Sequence, residues 1–430
     1  MRLRPALLAL LVLVGSCSRR ERSNPLDPEN PNTGGAPEGF NAIADAASVR
    51  LRWNARPDLP IDGFRLLRLA PGDSLYRPLG PLLPNFISSE EDGTTDAGLE
   101  YRYRLHYVIG GALAARFAED AAMPGPLRPW VVDADGGRVL RLSPDGRDVL
   151  QARSGFGSSS SLAVTPEFGP LWVADELAGV VDIVNVGDFT GPRVRGVSDP
   201  FSIALDPFDG SGWICDLAQP GSVRHYQSNG ATASPATLPL LDDPEGVATS
   251  AADGAVWVTE LAGGRVRRYW PDGLPQGARP LLSPSRVAVD SATGEAWVTS
   301  VFSGWVWRVD STLTVLDSLR LQGPLGLALD WRRRTAWVAD PVGDELVAID
   351  MDTRAVRFRV AGLGAPRDVA VDLARGDAWA VSRPTSSVYR VSPAGAIVGA
   401  VGGLGDPAEV RLDPGFVGPR VGRPRLGLSK

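Results

Sequence analysis

A tryptophan followed by two small or apolar residues recurs along most of this chain at a nearly constant spacing. Successive copies lie 42, 41, 44, 40, 40 and 42 residues apart. The seven copies begin at Trp130, Trp172, Trp213, Trp257, Trp297, Trp337 and Trp379. A fixed period near forty residues is typical of four-stranded sheets repeated around an axis. The chain from residue 127 to residue 414 is therefore predicted to be one repetitive domain.

Each repeat carries the pattern of four strands. An apolar triplet such as Val287-Ala288-Val289 lies about ten residues before each tryptophan, with a turn-forming segment between them. After the tryptophan strand, a third segment such as 266–269 alternates apolar residues with arginine, and a weaker fourth strand follows. Four strands make one blade of a β-propeller, so we predict an all-β fold with seven blades.

The phase of the repeats predicts how the ring closes. The first repeat lacks an apolar triplet before Trp130, whereas the last triplet, Val410-Arg411-Leu412, has no tryptophan after it. We expect the C-terminal strand to become the innermost strand of the sheet that begins at Trp130. Such closure leaves no free sheet edge inside the ring.

The repeat motifs resemble those of the NHL, YVTN and virginiamycin-lyase-like propellers. Val369-Ala370-Val371-Asp372 is similar to the inner-strand motif of these families, and Trp337-Val338-Ala339-Asp340 is similar to their second-strand motif. The resemblance covers residues 127–414 and implies a seven-bladed propeller. Because such propellers include enzymes and binding modules, function has to be argued from the site.

Two periodic features have a structural and a functional interpretation. The seven tryptophans could form an aromatic binding surface, but one tryptophan per blade is most simply packed between neighbouring blades. The acids Asp133, Asp175, Asp216, Glu260 and Asp340 each end a tryptophan strand. They could form a cation-binding ring or accept hydrogen bonds from the backbone of their own turns. In both cases we favour the structural interpretation.

The axial mouth of the propeller is the predicted ligand site, because the residues that enter the innermost strands converge there. These residues are Ser161, Ser202, Glu245, Arg286, Arg367, Asp368 and Glu409. Carboxylates beside arginine could bind a polar ligand, serve as acid and base, or form solvated ion pairs. We assign no catalytic residue, no metal and no cofactor, although mouth carboxylates leave Ca²⁺ open.

The N-terminus predicts the compartment. Arg2 and Arg4 precede an apolar run over residues 6–14 that is too short to span a bilayer. Gly15-Ser16-Cys17 follows, and the whole resembles a bacterial lipoprotein signal peptide. The resemblance implies that residues 1–16 are removed, that Cys17 is lipidated, and that the chain is anchored in the cell envelope facing the periplasm or the exterior. In a Gram-negative host, Ser18 in place of Asp favours the outer membrane; an ordinary secretory signal or a short anchor is the alternative.

Residues 17–37 are rich in proline, asparagine and charge, which predicts a lipidated cysteine followed by a disordered tether. From residue 38 to residue 122 the long period disappears and the strands alternate strictly. This segment resembles a fibronectin type III domain, with Trp53 as its core tryptophan and Tyr101 as its corner tyrosine. Residues 415–430 are predicted to be a flexible tail.

The composition and charge of the chain argue against some classes of partner. The formal net charge is −6 and the arginines are spread singly along the strands, which argues against nucleic acid. If Cys17 is lipidated, Cys215 has no disulfide partner, and we expect it to be a buried apolar side chain. The two histidines, His106 and His225, fall in the N-terminal domain and in an outer blade strand.

The sequence thus predicts a monomeric, membrane-tethered protein that acts as a binding or scaffold module, with its propeller turned towards a protein or glycan partner. The alternative is a periplasmic or surface hydrolase or lyase that uses the carboxylates of the mouth, with or without Ca²⁺.

Overall fold

The computed structural model describes residues 24–45, 48–125, 127–164, 170–185 and 190–413. Over these residues the chain forms strands and turns. The described part contains no helix of the length and apolar character needed to cross a membrane. The described chain divides into two compact units, one holding 24–42, 51–90 and 101–121, the other the remaining residues. The predicted signal peptide, Cys17 and the tail at 415–430 lie outside the described residues.

The described part of the predicted tether is a series of hydrogen-bonded turns. The Asn30 side-chain amide donates to the Asn24 carbonyl at 2.9 Å, and the Thr33 hydroxyl donates to the Pro25 carbonyl at 2.9 Å. Asparagine and threonine side chains thus satisfy backbone groups a few residues away. From residue 24 onwards the described segment forms successive hydrogen-bonded turns, whereas its composition predicts a disordered tether.

The N-terminal strands form two antiparallel sheets, one in the order β1-β2-β5 and one in the order β4-β3-β6-β7. The strands are β1 Asn41–Ala44, β2 Val49–Arg52, β3 Gly63–Leu69, β4 Arg77–Pro78, β5 Ser89–Asp92, β6 Tyr101–Ile109 and β7 Ala112–Ala122. Alternation along β3 and β6 buries Phe64 and Tyr107, whose rings lie 5.6 Å apart. Trp53 is also buried, and the centre of its ring lies 5.7 Å from the centre of the Phe64 ring.

The described residues of the second unit form seven four-stranded sheets. The first is made of β8 Arg128–Asp133, β9 Arg138–Leu142, β10 Val149–Ser154 and the C-terminal β35 Pro407–Asp413. The second and third are made of β11 Ser159–Val164, β12 Pro170–Asp175, β13 Val180–Asn185, β14 Arg193–Val194, β15 Pro200–Leu205, β16 Gly212–Asp216, β17 Gly221–Tyr226 and β18 Thr232–Leu241.

The other four sheets repeat this arrangement. The fourth and fifth are made of β19 Pro244–Thr249, β20 Val256–Glu260, β21 Arg265–Tyr269, β22 Pro275–Pro280, β23 Val287–Val289, β24 Ala296–Ser300, β25 Trp305–Val309 and β26 Val315–Arg320. The sixth and seventh are made of β27 Leu327–Asp330, β28 Thr335–Asp340, β29 Glu345–Asp350, β30 Val356–Ala361, β31 Asp368–Val371, β32 Ala378–Ser382, β33 Ser387–Val391 and β34 Ile397–Val401.

The innermost strands contact one another in a closed circle. Going round, β11, β15, β19, β23, β27, β31 and β35 each contact the next, and β35 contacts β11. The C-terminal strand β35 pairs with β8, with Val410 opposite Val131 and Pro407 opposite Asp133. This is the closure that the phase of the repeats predicts, and the unit is an all-β propeller.

Each periodic tryptophan lies buried between its own sheet and the next one. All seven are between 0 and 3% exposed. Trp337 shares a core cluster with Val369 and Ala380 of the following sheet, and Trp379 packs with Val131 and Val410 of the closing sheet. The ring is therefore built from repeated apolar contacts between sheets, each centred on one indole.

The acids that end the tryptophan strands bind backbone groups of the loop leading into the same sheet. Asp340 accepts hydrogen bonds from the backbone nitrogens of Gln322, Gly323 and Gly343 at 2.8–2.9 Å. Burial opposes ionisation of Glu260, yet hydrogen bonds from Arg265, Arg267 and a backbone amide hold its pKa below the usual value. Among the described residues, no group of three or more acids, histidines or cysteines could hold a metal ion.

Cys215 is fully buried in the apolar cluster around Trp213. Burial raises the pKa of its thiol well above the usual range. The thiolate that would be needed for a nucleophile is therefore suppressed at neutral pH.

An ion network joins the last innermost strand to its neighbour across the closure. Asp368 on β31 accepts hydrogen bonds from the Val410 amide at 3.1 Å and from the Arg411 guanidinium at 2.7 Å. Arg411 also pairs with Glu409. In the other six innermost strands the position of Arg411 is occupied by an alanine, namely Ala163, Ala204, Ala248, Ala288, Ala328 and Ala370. Only the closing strand carries a charge there.

Candidate ligand site at the propeller mouth

Neighbouring strands of each sheet are antiparallel. The first residues of the innermost strands and the residues that follow the second strands therefore lie at the same end of the sheets. A cavity of about 430 Å³ opens at this end. It is lined by Phe201, Glu245, Arg286, Val301, Phe302, Leu325, Pro341, Ala365, Arg367, Arg383 and Pro384. We refer to it as the mouth cavity.

The structure brings three of the seven predicted site residues together in this cavity: Glu245 at the start of β19, Arg286 just before β23 and Arg367 just before β31. Ser161 and Ser202 lie buried within β11 and β15 and do not line it. Asp368 and Glu409 do not line it either, because their carboxylates turn towards Arg411 at the closure.

Sequence reasoning missed the remaining walls of the mouth cavity. Arg383, Pro341 and Phe302 all follow second strands, at the same end of the sheets as the residues entering innermost strands. The repeat period could have found them, because each lies one or two residues beyond the position of the periodic acids.

Positive charge dominates the cavity wall, with three arginines against one glutamate. Burial lowers the pKa of Arg367, and the nearby guanidinium groups of Arg383 and Arg286 lower it further. Arg383 is paired with Asp406 at 2.7 Å. Among the residues that the structure describes, the Arg367 guanidinium forms no hydrogen bond or ion pair. An anion in the cavity would relieve this repulsion between like charges.

Arg286 retains donors for a ligand as well. One of its nitrogens donates to the Glu245 carbonyl at 3.3 Å, and its guanidinium lies 5.1 Å from the centre of the Phe201 ring. A guanidinium has five N–H donors, so most remain available. The aromatic face below it fixes the orientation of the group.

Among the described residues that line the cavity, Glu245 is the only one with a carboxylate. Burial raises its pKa, and Asp243 raises it further, although Arg286 and Arg367 act in the opposite direction. The side chain therefore ionises less readily than an exposed glutamate, which leaves the arginine charge less neutralised.

An apolar patch adjoins one wall of the mouth cavity. Phe302, Leu282 and Val342 are 75, 65 and 62% exposed. The hydroxyl of Ser303, next to Phe302, donates a hydrogen bond to the Leu282 carbonyl at 3.1 Å. This bond joins the loop that carries Phe302 to the loop that carries Leu282. Large apolar side chains grouped at this exposure mark interaction surfaces. The mouth thus combines an anion-attracting cavity with an apolar rim.

Comparison with solved structures shows the same fold. A functionally unknown protein from Desulfotomaculum acetoxidans aligns at 14% sequence identity and a TM-score of 0.58, over 67% of this chain and 99% of its own. Hydrazine synthase from Kuenenia stuttgartiensis aligns at 14% identity and a TM-score of 0.55, over 62% of this chain and 92% of its own. Virginiamycin B lyase from Staphylococcus aureus aligns at 17% identity and a TM-score of 0.44, over 56% of this chain and 82% of its own, a likeness too loose to inform the site.

No protein-family model matches the sequence, and no curated protein matches it. At identities this low the structural neighbours show the fold alone. Together with the closed circle of sheets, they place this chain in the class of β-propeller proteins.

Proposed function

We propose that this protein is a binding module: a seven-bladed propeller whose mouth cavity receives an acidic segment of a partner protein. The partner inserts a carboxylate between Arg286 and Arg367 and lays a neighbouring apolar side chain on the patch of Leu282, Phe302 and Val342. The observation that carries the proposal is the Arg367 guanidinium, which faces a positively charged cavity and pairs with none of the described acids.

A protein partner fits this surface better than a glycan does. The patch beside the cavity is formed by large aliphatic and aromatic side chains, which a peptide covers with apolar side chains of its own. Carboxylates paired with arginine form charge-assisted, often bidentate hydrogen bonds, which fix the position of the ligand. Arginines near the centre of an interface are also among the residues that most often dominate its binding energy.

The proposal is tested by selecting a random heptapeptide library against the full chain. We expect the recovered peptides to carry aspartate or glutamate next to a large apolar residue. The Arg286→Gln/Arg367→Gln variant should lose this enrichment, because both charge donors are gone. The control is Arg279→Gln on the exposed edge strand β22, which removes an arginine outside the cavity. Recovery of acidic peptides at equal yield by the double variant would contradict the proposal.

One observation favours a second function, a hydrolase or lyase acting at the mouth. Glu245 combines a raised pKa with a place in the wall of a cavity, which is the combination found in general acids and bases. In that case Glu245→Gln would abolish turnover of a substrate, whereas the binding proposal expects the same variant to retain peptide binding. Ca²⁺ at the mouth, with Glu245 as its one carboxylate ligand from the cavity wall, belongs to this alternative.

We further propose that residues 38–122 form a fibronectin type III-like domain that acts as a spacer. Support comes from its sheets of three and four strands and from the buried Trp53 beside Phe64. Cys17 is proposed to be lipidated, so that the module faces the periplasm or exterior as a membrane-tethered lipoprotein. Labelling with radioactive palmitate should give a labelled band that Cys17→Ser abolishes; equal labelling of both chains would rule out Cys17 as the lipidated residue.

A further inference from the structure

The third sheet encloses a second cavity at the end of its strands away from the mouth. Two hairpin loops, one joining β15 to β16 and one joining β17 to β18, surround a volume of about 430 Å³. Its wall is polar and includes Asp209, Ser211, His225, Gln227, Ser228 and Ser234. The proposed binding function makes no use of these residues.

Ser211 and His225 meet in the wall of this cavity in a specific orientation. They are 5 and 7% exposed, and the Ser211 hydroxyl lies 2.8 Å from Nε2 of His225. The other ring nitrogen, Nδ1, lies 3.2 Å from the Pro235 carbonyl. A carbonyl can only accept, so Nδ1 carries the proton of the neutral ring and the lone pair of Nε2 faces the serine hydroxyl.

The orientation of the His225 imidazole ring is also fixed by stacking. Its ring stacks on the Trp213 indole at 3.8 Å between centres and 5° between planes. Gly212 lies between the serine and this tryptophan, and a Cβ there would come within 2.5 Å of the Trp172 ring. The close approach of Trp172 therefore requires glycine next to Ser211. A serine hydroxyl hydrogen-bonded to a correctly oriented imidazole is the arrangement of an activated nucleophile and its base.

Two of the sister sheets, the fifth and the seventh, use the same two positions for an ion pair. The first position lies two residues before the periodic tryptophan, and the second faces that tryptophan on the third strand. In the seventh sheet these positions hold Asp377 and Arg390, joined at 2.8 Å, and in the fifth sheet Glu295 and Arg308 pair at 3.5 Å. The third sheet carries a serine and a histidine where the fifth and seventh sheets carry an ion pair.

We propose that Ser211 and His225 form a hydrolytic site for short, polar carboxylic esters. The serine oxygen bonds to the ester carbonyl carbon while its proton passes to Nε2 of His225. The bond from that carbon to the alcohol oxygen then breaks, and the leaving alcohol takes the proton from the imidazole. Water next attacks the acyl-serine, gives one proton to Nε2, and releases the carboxylic acid as the proton returns to the serine oxygen.

The full chain is tested with a fluorophosphonate probe, which bonds covalently to activated serines, and with p-nitrophenyl acetate as substrate. Intact mass should show one adduct, mapped to Ser211, that is absent from Ser211→Ala. Labelling and ester hydrolysis should slow by about 100-fold or more in His225→Gln, because the general base is lost. A wild-type chain that is not labelled, or His225→Gln labelled at the wild-type rate, would overturn the proposal.

Two further variants separate this site from folding and from the mouth. Ser211→Asp/His225→Arg installs the ion pair of the seventh sheet, so it should keep the wild-type unfolding midpoint while losing both labelling and hydrolysis. Arg286→Gln/Arg367→Gln should keep labelling of Ser211, so a failure of the binding proposal leaves this one standing. Hydrolysis retained by Ser211→Asp/His225→Arg would assign the activity to another residue and refute the proposal.

Discussion

Trp337 lies 1% exposed between the sixth and seventh sheets, with Val369 and Ala380 on one side and Ala348 of its own sheet on the other. An aromatic side chain of this size fills the space between two sheets that cannot close up fully when it is removed. The same argument applies to each of the seven periodic tryptophans, which differ little in burial. Removing any one should therefore weaken the whole ring.

Trp337→Ala is expected to lower the free energy of unfolding by about 3–5 kcal/mol, because it combines lost burial with an unfilled cavity. Urea unfolding followed by far-ultraviolet circular dichroism measures the change. Trp270→Ala is the control, because Trp270 is half-exposed. This substitution should lower the free energy of unfolding by less than about 1 kcal/mol. Similar losses for the two variants would show that the periodic tryptophan is not the packing centre.

At the scale of strands and loops, the acids at the ends of the second strands hold the loops that enter the sheets. Glu260 accepts a hydrogen bond from the Asp242 amide at 2.8 Å and pairs with Arg265 and Arg267. Its carboxylate thus ties the loop before β19 to the end of β20. The structural interpretation of these acids accounts for their contacts without a bound cation.

Glu260→Gln should lower the free energy of unfolding by about 1.5–3 kcal/mol at pH 7, because hydrogen bonds to a charged acceptor are lost. The pKa of Glu260 in the folded protein lies below its usual 4.5. The ionised group therefore stabilises the fold above about pH 4.5, and this contribution is lost as the pH falls through the lowered pKa. Unfolding curves between pH 3 and 7 should show the gap between the two proteins narrowing on the acid side; a gap independent of pH would contradict the assignment.

The sequence predicts features that repeat once in every sheet. It does not predict the orientation of a side chain that depends on one non-repeating neighbour. The tryptophan period predicts the strands, because each blade needs the same packing centre. Glu245, Arg286 and Arg367 were predicted at the mouth by their place before innermost strands. Asp368 and Glu409 share that place, but Arg411, standing where other strands have alanine, draws both away.

The pairing of Ser211 with His225 was not predictable from spacing. The two residues are 14 positions apart, and only the register that sets Trp213 opposite His225 brings them together. The register of the paired strands determines this long-range contact. The local sequence around His225 predicts only an outer strand of a blade. The mouth walls contributed by second strands were missed for a related reason, since their position depends on the antiparallel return of the chain.

At the scale of the whole molecule, one strand from the far end of the chain closes the ring. Strand β35 supplies the inner edge of the first sheet, and the network of Arg411, Asp368 and Glu409 joins it to β31. Burial raises the pKa of Glu409, and Asp368 raises it further while Arg411 opposes the rise. The closure therefore depends on Arg411 to balance two buried acids.

Arg411→Ala is expected to lower the free energy of unfolding at pH 7 by about 3 kcal/mol, because it leaves two buried carboxylates without their cation. Glu409 ionises only at a raised pKa, so protonation at lower pH should relieve the repulsion and shrink the loss. Arg279→Ala on β22 is the control and should change the value by at most about 0.5 kcal/mol. A loss that grows as the pH falls would contradict this account of the closure.

The central claim is that the mouth cavity binds an acidic segment through Arg286 and Arg367. Titration calorimetry of the strongest selected peptide against the full chain tests it most directly. We predict an affinity that falls with added salt, and a loss of at least tenfold for each of Arg286→Gln and Arg367→Gln with Arg279→Gln unchanged, since one charge-assisted pair is worth about 1.5–3 kcal/mol. Equal affinity for all four proteins would place the binding surface elsewhere and contradict the proposed function.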